Sequence, residues 1–188
     1  MTATTTEIPG YVTGTWTIDL SHSDVSFTVR HMVVSKVRGF FRTFEGTLVT
    51  GETPEQSSVT AKIDLASIDT NHDQRNEHIK SADFFDTETY PTMTFQSTGV
   101  RRHHDDWILD GELTLKGVTK QVPLKLELNG FGPDSWGGYR AGFSAKGELN
   151  RREFNVNFNA TMETGGLVVS DKVEILLEIE AVLDKPEA

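Results

Sequence analysis

Apolar and polar residues alternate with a period of two along most of this chain, and that constrains its fold more than any other feature. Val25, Phe27 and Val29 share one parity, with Ser26, Thr28 and Arg30 on the other. Val59, Ala61 and Ile63 repeat the pattern, as do Met93 and Phe95, and then Trp107, Leu109, Leu113 and Leu115. Val122, Leu124, Leu126 and Leu128 follow, then Ala141, Phe143, Ala145 and Leu149, and last Val173, Ile175, Leu177, Ile179, Ala181 and Leu183. Successive side chains of a strand point to opposite faces, so such runs describe strands with one dry and one wet face. Turn-forming clusters separate them: Gly51-Glu52-Thr53-Pro54, His103-His104-Asp105-Asp106, Lys116-Gly117, Asn129-Gly130-Phe131-Gly132-Pro133 and Trp136-Gly137-Gly138. Short strands at regular spacing predict an all-β antiparallel sandwich or barrel.

One stretch breaks the rhythm. Residues 71–80 lack alternation and favour a helix of about three turns, capped by Thr70 or Asn71 with Asp73 or Gln74 three residues on. Helical spacing puts His72, Arg75, Asn76 and Ile79 on one face. Ala82-Asp83-Phe84-Phe85-Asp86 and Tyr90-Pro91 then return the chain to a strand. Residues 1–13 read as a flexible N-terminal segment, residues 14–184 as one domain, and Lys185 onward as a loose end.

Charge and cysteine usage exclude several function classes. With 18 basic and 28 acidic residues the formal charge is −10, which argues against a nucleic-acid binder and disfavours docking on anionic membranes. Without cysteine there is no disulfide framework, thiol nucleophile or thiolate metal site. The N-terminus has neither the basic start nor the apolar stretch of a secretory signal, and no apolar run approaches the ~18 residues of a membrane-spanning helix. The expected location is therefore cytoplasmic.

The six histidines are the chemical candidates. His22 lies within four residues of Asp19 and Ser21, close enough for a hydrogen-bonded turn, whereas catalytic triads assemble from distant segments. His72 and His78 are six apart, not at the i, i+4 spacing of a helical zinc site. His103 and His104 belong to a hairpin tip. His31 shares the parity of Val25, Phe27 and Val29, so an imidazole points into an apolar interior, either bound to a neighbour or anchoring a ligand's polar end. Phosphate loops and nucleophile elbows are missing. Eleven phenylalanines, against three tryptophans and three tyrosines, are spread over nearly every strand. They serve as an aromatic core, or as the lining of an eight-stranded barrel with room for one elongated apolar ligand.

Several motifs carry a resemblance. Trp16-Thr17-Ile18-Asp19, His22-Ser23, Phe27, His31-Met32, Val37-Arg38-Gly39-Phe40-Phe41 and Phe44-Glu45-Gly46 open the series. Ile68-Asp69-Thr70, Arg75, His78, Ser81-Ala82-Asp83-Phe84-Phe85-Asp86, Tyr90-Pro91 and Phe95 continue it. Gly111-Glu112-Leu113-Thr114-Leu115-Lys116-Gly117-Val118-Thr119 and Arg151-Arg152-Glu153-Phe154-Asn155 complete it. Together they resemble the YceI-like family of lipocalin-like polyisoprenoid-binding proteins, in order and over residues 14–184. The resemblance implies an extended eight-stranded antiparallel barrel with a helix near one end and a long pore for an isoprenoid chain, such as an isoprenoid quinone or polyprenol, or a fatty-acid-like molecule. It implies bacterial proteins that are often homodimers and in many cases periplasmic, the N-terminus read above setting this chain apart from exported members. Two positions depart from the family's usual pattern: Asn76 stands where Asp is usual, and Asn155 where Gly is usual, although Asn also adopts a left-handed turn.

The expected function is thus binding, storage or transport of a long-chain amphiphile, with no catalytic residue, no metal and no required cofactor. The expected ligand-binding residues are Phe27, His31, Phe40, Phe84, Phe85, Phe95, Leu113, Leu115, Phe143 and Phe158. The alternative is a hydrolase or isomerase acting on a barrel-bound lipid, with His31 or the Asp19 and His22 pair as base.

Overall fold

The computed structural model describes residues 7–186, and within them the alternation resolves into twelve strands and one α-helix. The strands are β1 (Gly14–Ile18), β2 (Asp24–His31), β3 (Ser35–Phe41), β4 (Phe44–Thr50), β5 (Ser58–Asp64), β6 (Ile68–Asp69), β7 (Thr92–His103), β8 (Asp106–Leu115), β9 (Val118–Gln121), β10 (Leu124–Pro133), β11 (Tyr139–Asn150) and β12 (Val169–Leu183). Helix α1 covers Asp73–Lys80. Eight strands close an antiparallel ring in the order β1-β4-β5-β7-β8-β10-β11-β12, with β12 returning to β1. The barrel expected from the motifs is the fold observed.

The wall forks at β12. One edge of this 15-residue strand pairs with β11 from Lys172 to Val182. Its other edge is shared: Ala181–Leu183 pair with β1, and residues 169–178 pair with β2. The short helical turn Leu20–His22 passes that edge from one strand to the next. At the handover the Glu180 carbonyl accepts from the Asp19 amide (2.8 Å) and the buried Ser23 hydroxyl, while the Glu180 amide donates to Ser23 Oγ at 2.9 Å. The backbone groups left by the departing strands are thereby satisfied, as burial requires. Beyond the fork, β2, β3 and β6 extend the wall, and α1 with the turns after it lies at that end, Phe85 packing against Phe41 (ring centroids 6.1 Å).

Local chemistry shifts some boundaries. Asn71 takes a left-handed conformation (φ 61°), so the cap passes from Thr70 or Asn71 to His72, whose Nδ1 accepts from the Arg75 amide. Thr70 is buried instead and ties into the helix: its amide and hydroxyl donate to Asn76 Oδ1 (2.8 and 2.7 Å), and its own oxygens accept from Arg75. A neutral amide thus fills the acceptor role at residue 76. Asn155 adopts the left-handed turn expected of it, at φ 59°, ψ 20°. Of the 1–13 segment expected to be flexible, residues 1–6 lie outside the described residues, and Tyr11 is packed: its hydroxyl bridges Gly51 O and Ser57 Oγ, and its ring meets Phe131 edge-on.

Candidate functional site

The apolar parity of nearly every strand faces one continuous cavity of about 500 Å³. That lies within the ~300–1,000 Å³ typical of small-molecule sites. Val25, Phe27 and Val29 line it from β2, Ala61 and Ile63 from β5, and Phe143 and Ala145 from β11. The cavity runs from a rim at Tyr11, Thr50 and Pro54 to the fork end at His31, His78, Phe158 and Val168. At the first rim the buried Trp16 donates from Nε1 to Thr50 Oγ1 (2.9 Å), and Thr50 donates on to Val12 O (2.7 Å). The lining includes exposed Arg30 at the fork end and exposed Val49 and Ser58 at the opposite rim, so the cavity reaches solvent at both ends.

Of the ten residues expected to form the site, nine line this cavity: Phe27, His31, Phe84, Phe85, Phe95, Leu113, Leu115, Phe143 and Phe158. Phe40 does not. On β3 the inward parity belongs to Val37, Gly39 and Phe41, which places Phe40 on the outer face. There its ring is sandwiched by cations, with Arg42 at 4.7 Å and Arg38 at 5.1 Å from its centroid. The loop-borne pair lies at the fork end, the Phe84 ring tilted at 55° against Phe158 with centroids 5.1 Å apart.

Two glycines of the motifs make room for aromatic rings on the wall. A Cβ at Gly39 would lie 2.4 Å from Phe27 Cζ, and one at Gly111 would lie 2.2 Å from Phe95 Cζ. Each ring thus lies over the glycine of a neighbouring strand.

Polar groups in the lining are few and mostly spent. Arg151 is 4% exposed, and burial pushes its guanidinium below the ordinary arginine value. It donates to four carbonyls: Val156 (2.7 Å), Phe158 (2.8 Å), Ser170 (2.9 Å) and Val169 (3.3 Å). This clamp holds the segment after β11 to the start of β12. Arg75 is committed to Thr70. His78 Nε2 is hydrogen-bonded to Asp83 at 2.7 Å while its ring meets Phe158 edge-on at 4.8 Å. The ring of His31, by contrast, has no protein partner among the described residues, and neither does the Arg30 guanidinium beside it. The uncommitted charged or titratable groups of the lining are therefore at the fork end, while the opposite rim carries the Ser58 hydroxyl. Sequence reasoning missed His78 and Arg75 as lining residues, although their i, i+3 spacing with Ile79 next in line marks one helical face.

Asp19 and His22 do not reach the cavity. Asp19 Oδ1 accepts from the Ser21 amide and hydroxyl, and Oδ2 meets His22 Nδ1 (3.0 Å) and Arg140 (2.7 Å). The Ser21 hydroxyl, then Arg140 and His22, hold the Asp19 carboxyl well below the usual carboxylate range. Glu180 approaches the same histidine, but Arg140 donates to Asp19, Asp134 and Glu180 together and supplies the positive charge. The group is an ion-pair knot tying the β1–β2 corner to β11 and β12.

Comparison with known proteins agrees with this geometry. The YceI-like domain matches residues 16–181. The chain belongs to the YceI-like family. It is 40% identical to Protein YceI of Escherichia coli O17:K52:H18 over 165 residues, covering 87% of this chain and 83% of that one. Among solved structures it is similar to BcnA of Burkholderia cenocepacia, at TM-score 0.76 and 26% identity, covering 87% of this chain and 98% of that one. A polyisoprenoid binding domain from Saccharophagus degradans shares the fold at TM-score 0.67 and 16% identity, covering 92% of this chain and all of that one.

Proposed function

We propose that this YceI-like protein binds, stores or carries one long-chain amphiphile, a polyisoprenoid such as an isoprenoid quinone or polyprenol, along the barrel axis. The observation that carries this reading is the continuous apolar bore of about 500 Å³, with His31 and Arg30, whose side chains have no partner among the described residues, at its fork end. Burial of a hydrocarbon chain contributes ~0.8 kcal/mol per methylene, or roughly 4 kcal/mol per five-carbon unit before association costs. Those costs run to ~4–15 kcal/mol, so two to four units already bring net affinity. No step of this process requires a nucleophile or base, and the chain acts as a binding protein rather than an enzyme. The name of the Saccharophagus domain lends support at the level of the family. The test is solvent extraction of the purified protein followed by mass spectrometry. The expected result is one class of long-chain amphiphile at about one molecule per chain; short polar metabolites or hydrolysed lipid fragments in its place would contradict the proposal.

A further inference from the structure

The chain carries −10 overall, yet residues 25–44 contain no acid and four cations, Arg30, Lys36, Arg38 and Arg42. This run is the β2–β3 hairpin, and its tip is Met32-Val33-Val34. The tip is exposed: Met32 42%, Val33 69% and Val34 85%. It is also an unusual turn. Met32 and Val33 both hold positive φ, 52° and 65°, where Asn or Gly is the ordinary occupant and a β-branched residue is an outlier. Strain and exposed apolar surface are both unfavourable in an isolated soluble chain, so their coincidence points to a function outside it. The tip adjoins the fork end of the bore, where exposed Arg30 lines it. His31 begins the turn and lines the cavity, and the Met32 amide donates to Val168 O (2.8 Å), another lining residue. Leu167, next to Val168, is 43% exposed. Of the hairpin cations, Lys36 faces Glu174 at 3.6 Å and Arg42 pairs with Asp69, while Arg30 and Arg38 have no ion-pair partner among the described residues.

We infer that the β2–β3 hairpin is a docking element for anionic lipid bilayers: Met32, Val33 and Val34 enter the interface, Arg30, Lys36 and Arg38 meet lipid phosphates, and the mouth at His31 is set against the membrane. The net negative charge does not oppose this, because charges beyond a Debye length of ~8 Å from the contact are screened at physiological salt. The inference rests on the carrier reading only for its purpose; the docking itself is separable. A bilayer fits better than a protein partner because the patch combines a short apolar point with diffuse cations, of which Arg30 and Arg38 have no ion-pair partner among the described residues, the pattern of interfacial membrane binding.

The test is co-sedimentation with vesicles of equal parts phosphatidylglycerol and phosphatidylcholine, and with vesicles of phosphatidylcholine alone. The protein is expected to sediment with the anionic vesicles and to be released by molar sodium chloride. Val33→Asn with Val34→Ser suits the left-handed turn and should fold at least as well, read by thermal melting, while weakening vesicle partitioning about 10-fold or more. Lys36→Gln with Arg38→Gln should weaken it about 25-fold, roughly five-fold per cation. Binding of a fluorescent long-chain probe in vesicle-free solution, measured on wild type and on the Val33→Asn, Val34→Ser variant, separates the two readings. Retained probe binding with lost vesicle binding supports the docking element; vesicle binding without any probe binding supports it too and removes the carrier reading. Equal sedimentation with both vesicle types, or wild-type sedimentation of the tip variant, overturns it. So does conversion of a dimer to a monomer by the tip substitutions, which would make the hairpin a contact between copies of this chain.

Discussion

Gly111→Ala adds one methyl group where the structure has no room for it. The new Cβ would lie 2.2, 2.6 and 2.8 Å from Cζ, Cε2 and Cε1 of Phe95, against ~3.5–4.0 Å for carbon atoms in ordinary contact. Gly111 sits in β8 with its backbone paired to Ser97, so the ring must move, and the free space beside it is the bore. Overpacking of this kind costs about 1–3 kcal/mol. Replacing glycine within a strand returns roughly 0.5–1 kcal/mol through the unfolded chain. Taken at mid-range the two leave a net loss of about 1 kcal/mol, which corresponds to a Tm lower by about 2–4 °C for a chain of this size. A thermal melt reads that shift, and displacement of a fluorescent long-chain probe reads the narrowed bore as weaker binding. Phe95→Leu removes the clashing ring atoms, so the double variant should melt higher than the sum of the single effects, by a coupling of at least ~0.5 kcal/mol. If Gly111→Ala melts at or above wild type, or the two substitutions add, the ring does not hold the position assigned to it.

Three further outcomes follow from the site. Arg151→Met should cost about 2–4 kcal/mol, because it leaves the carbonyls of Val156, Phe158 and Ser170 without donors, and hydrogen exchange should accelerate across residues 156–170; unchanged exchange there would count against the clamp. Asp19 has a folded pKa depressed below its ordinary 3.8, so its contribution to stability is present above that value and lost as pH falls through the folded one. Asp19→Asn should therefore be less stable than wild type at neutral pH, with the gap closing in acid below about pH 4, as read by denaturant titration at several pH values. His31→Phe should weaken binding of a quinone or alcohol about five-fold or more and leave a plain hydrocarbon chain of equal length unaffected; equal loss for both would make the histidine structural.

Most of the barrel was legible because strand parity is a local signal. The side chains of Val25, Phe27, Val29 and His31 point where alternation places them, and β12 keeps one parity from Val173 to Leu183. Phe40 shows where composition misleads. The abundance of phenylalanine put Phe40 among the expected lining, but the parity that brings Phe41 in sends Phe40 out, where two arginines cover its ring. The fork at β12 was not legible, since it depends on one strand being long enough to serve two partners, which no local pattern records. Nor were the duties of Gly39 and Gly111, which exist only because Phe27 and Phe95 cross from neighbouring strands. His72 as the helix cap was hidden by the left-handed turn at Asn71, a choice made by the burial of Thr70.

The central claim, that the bore holds an extended apolar chain, is tested most directly by affinity against chain length. Polyprenols with one head group and increasing numbers of five-carbon units are competed against a fluorescent long-chain probe in solution. The account predicts affinity that climbs steeply with each added unit, toward a gross ~4 kcal/mol per unit, and then levels off once the cavity of about 500 Å³ is full. Affinity that is flat with length and changes only with the head group would contradict it.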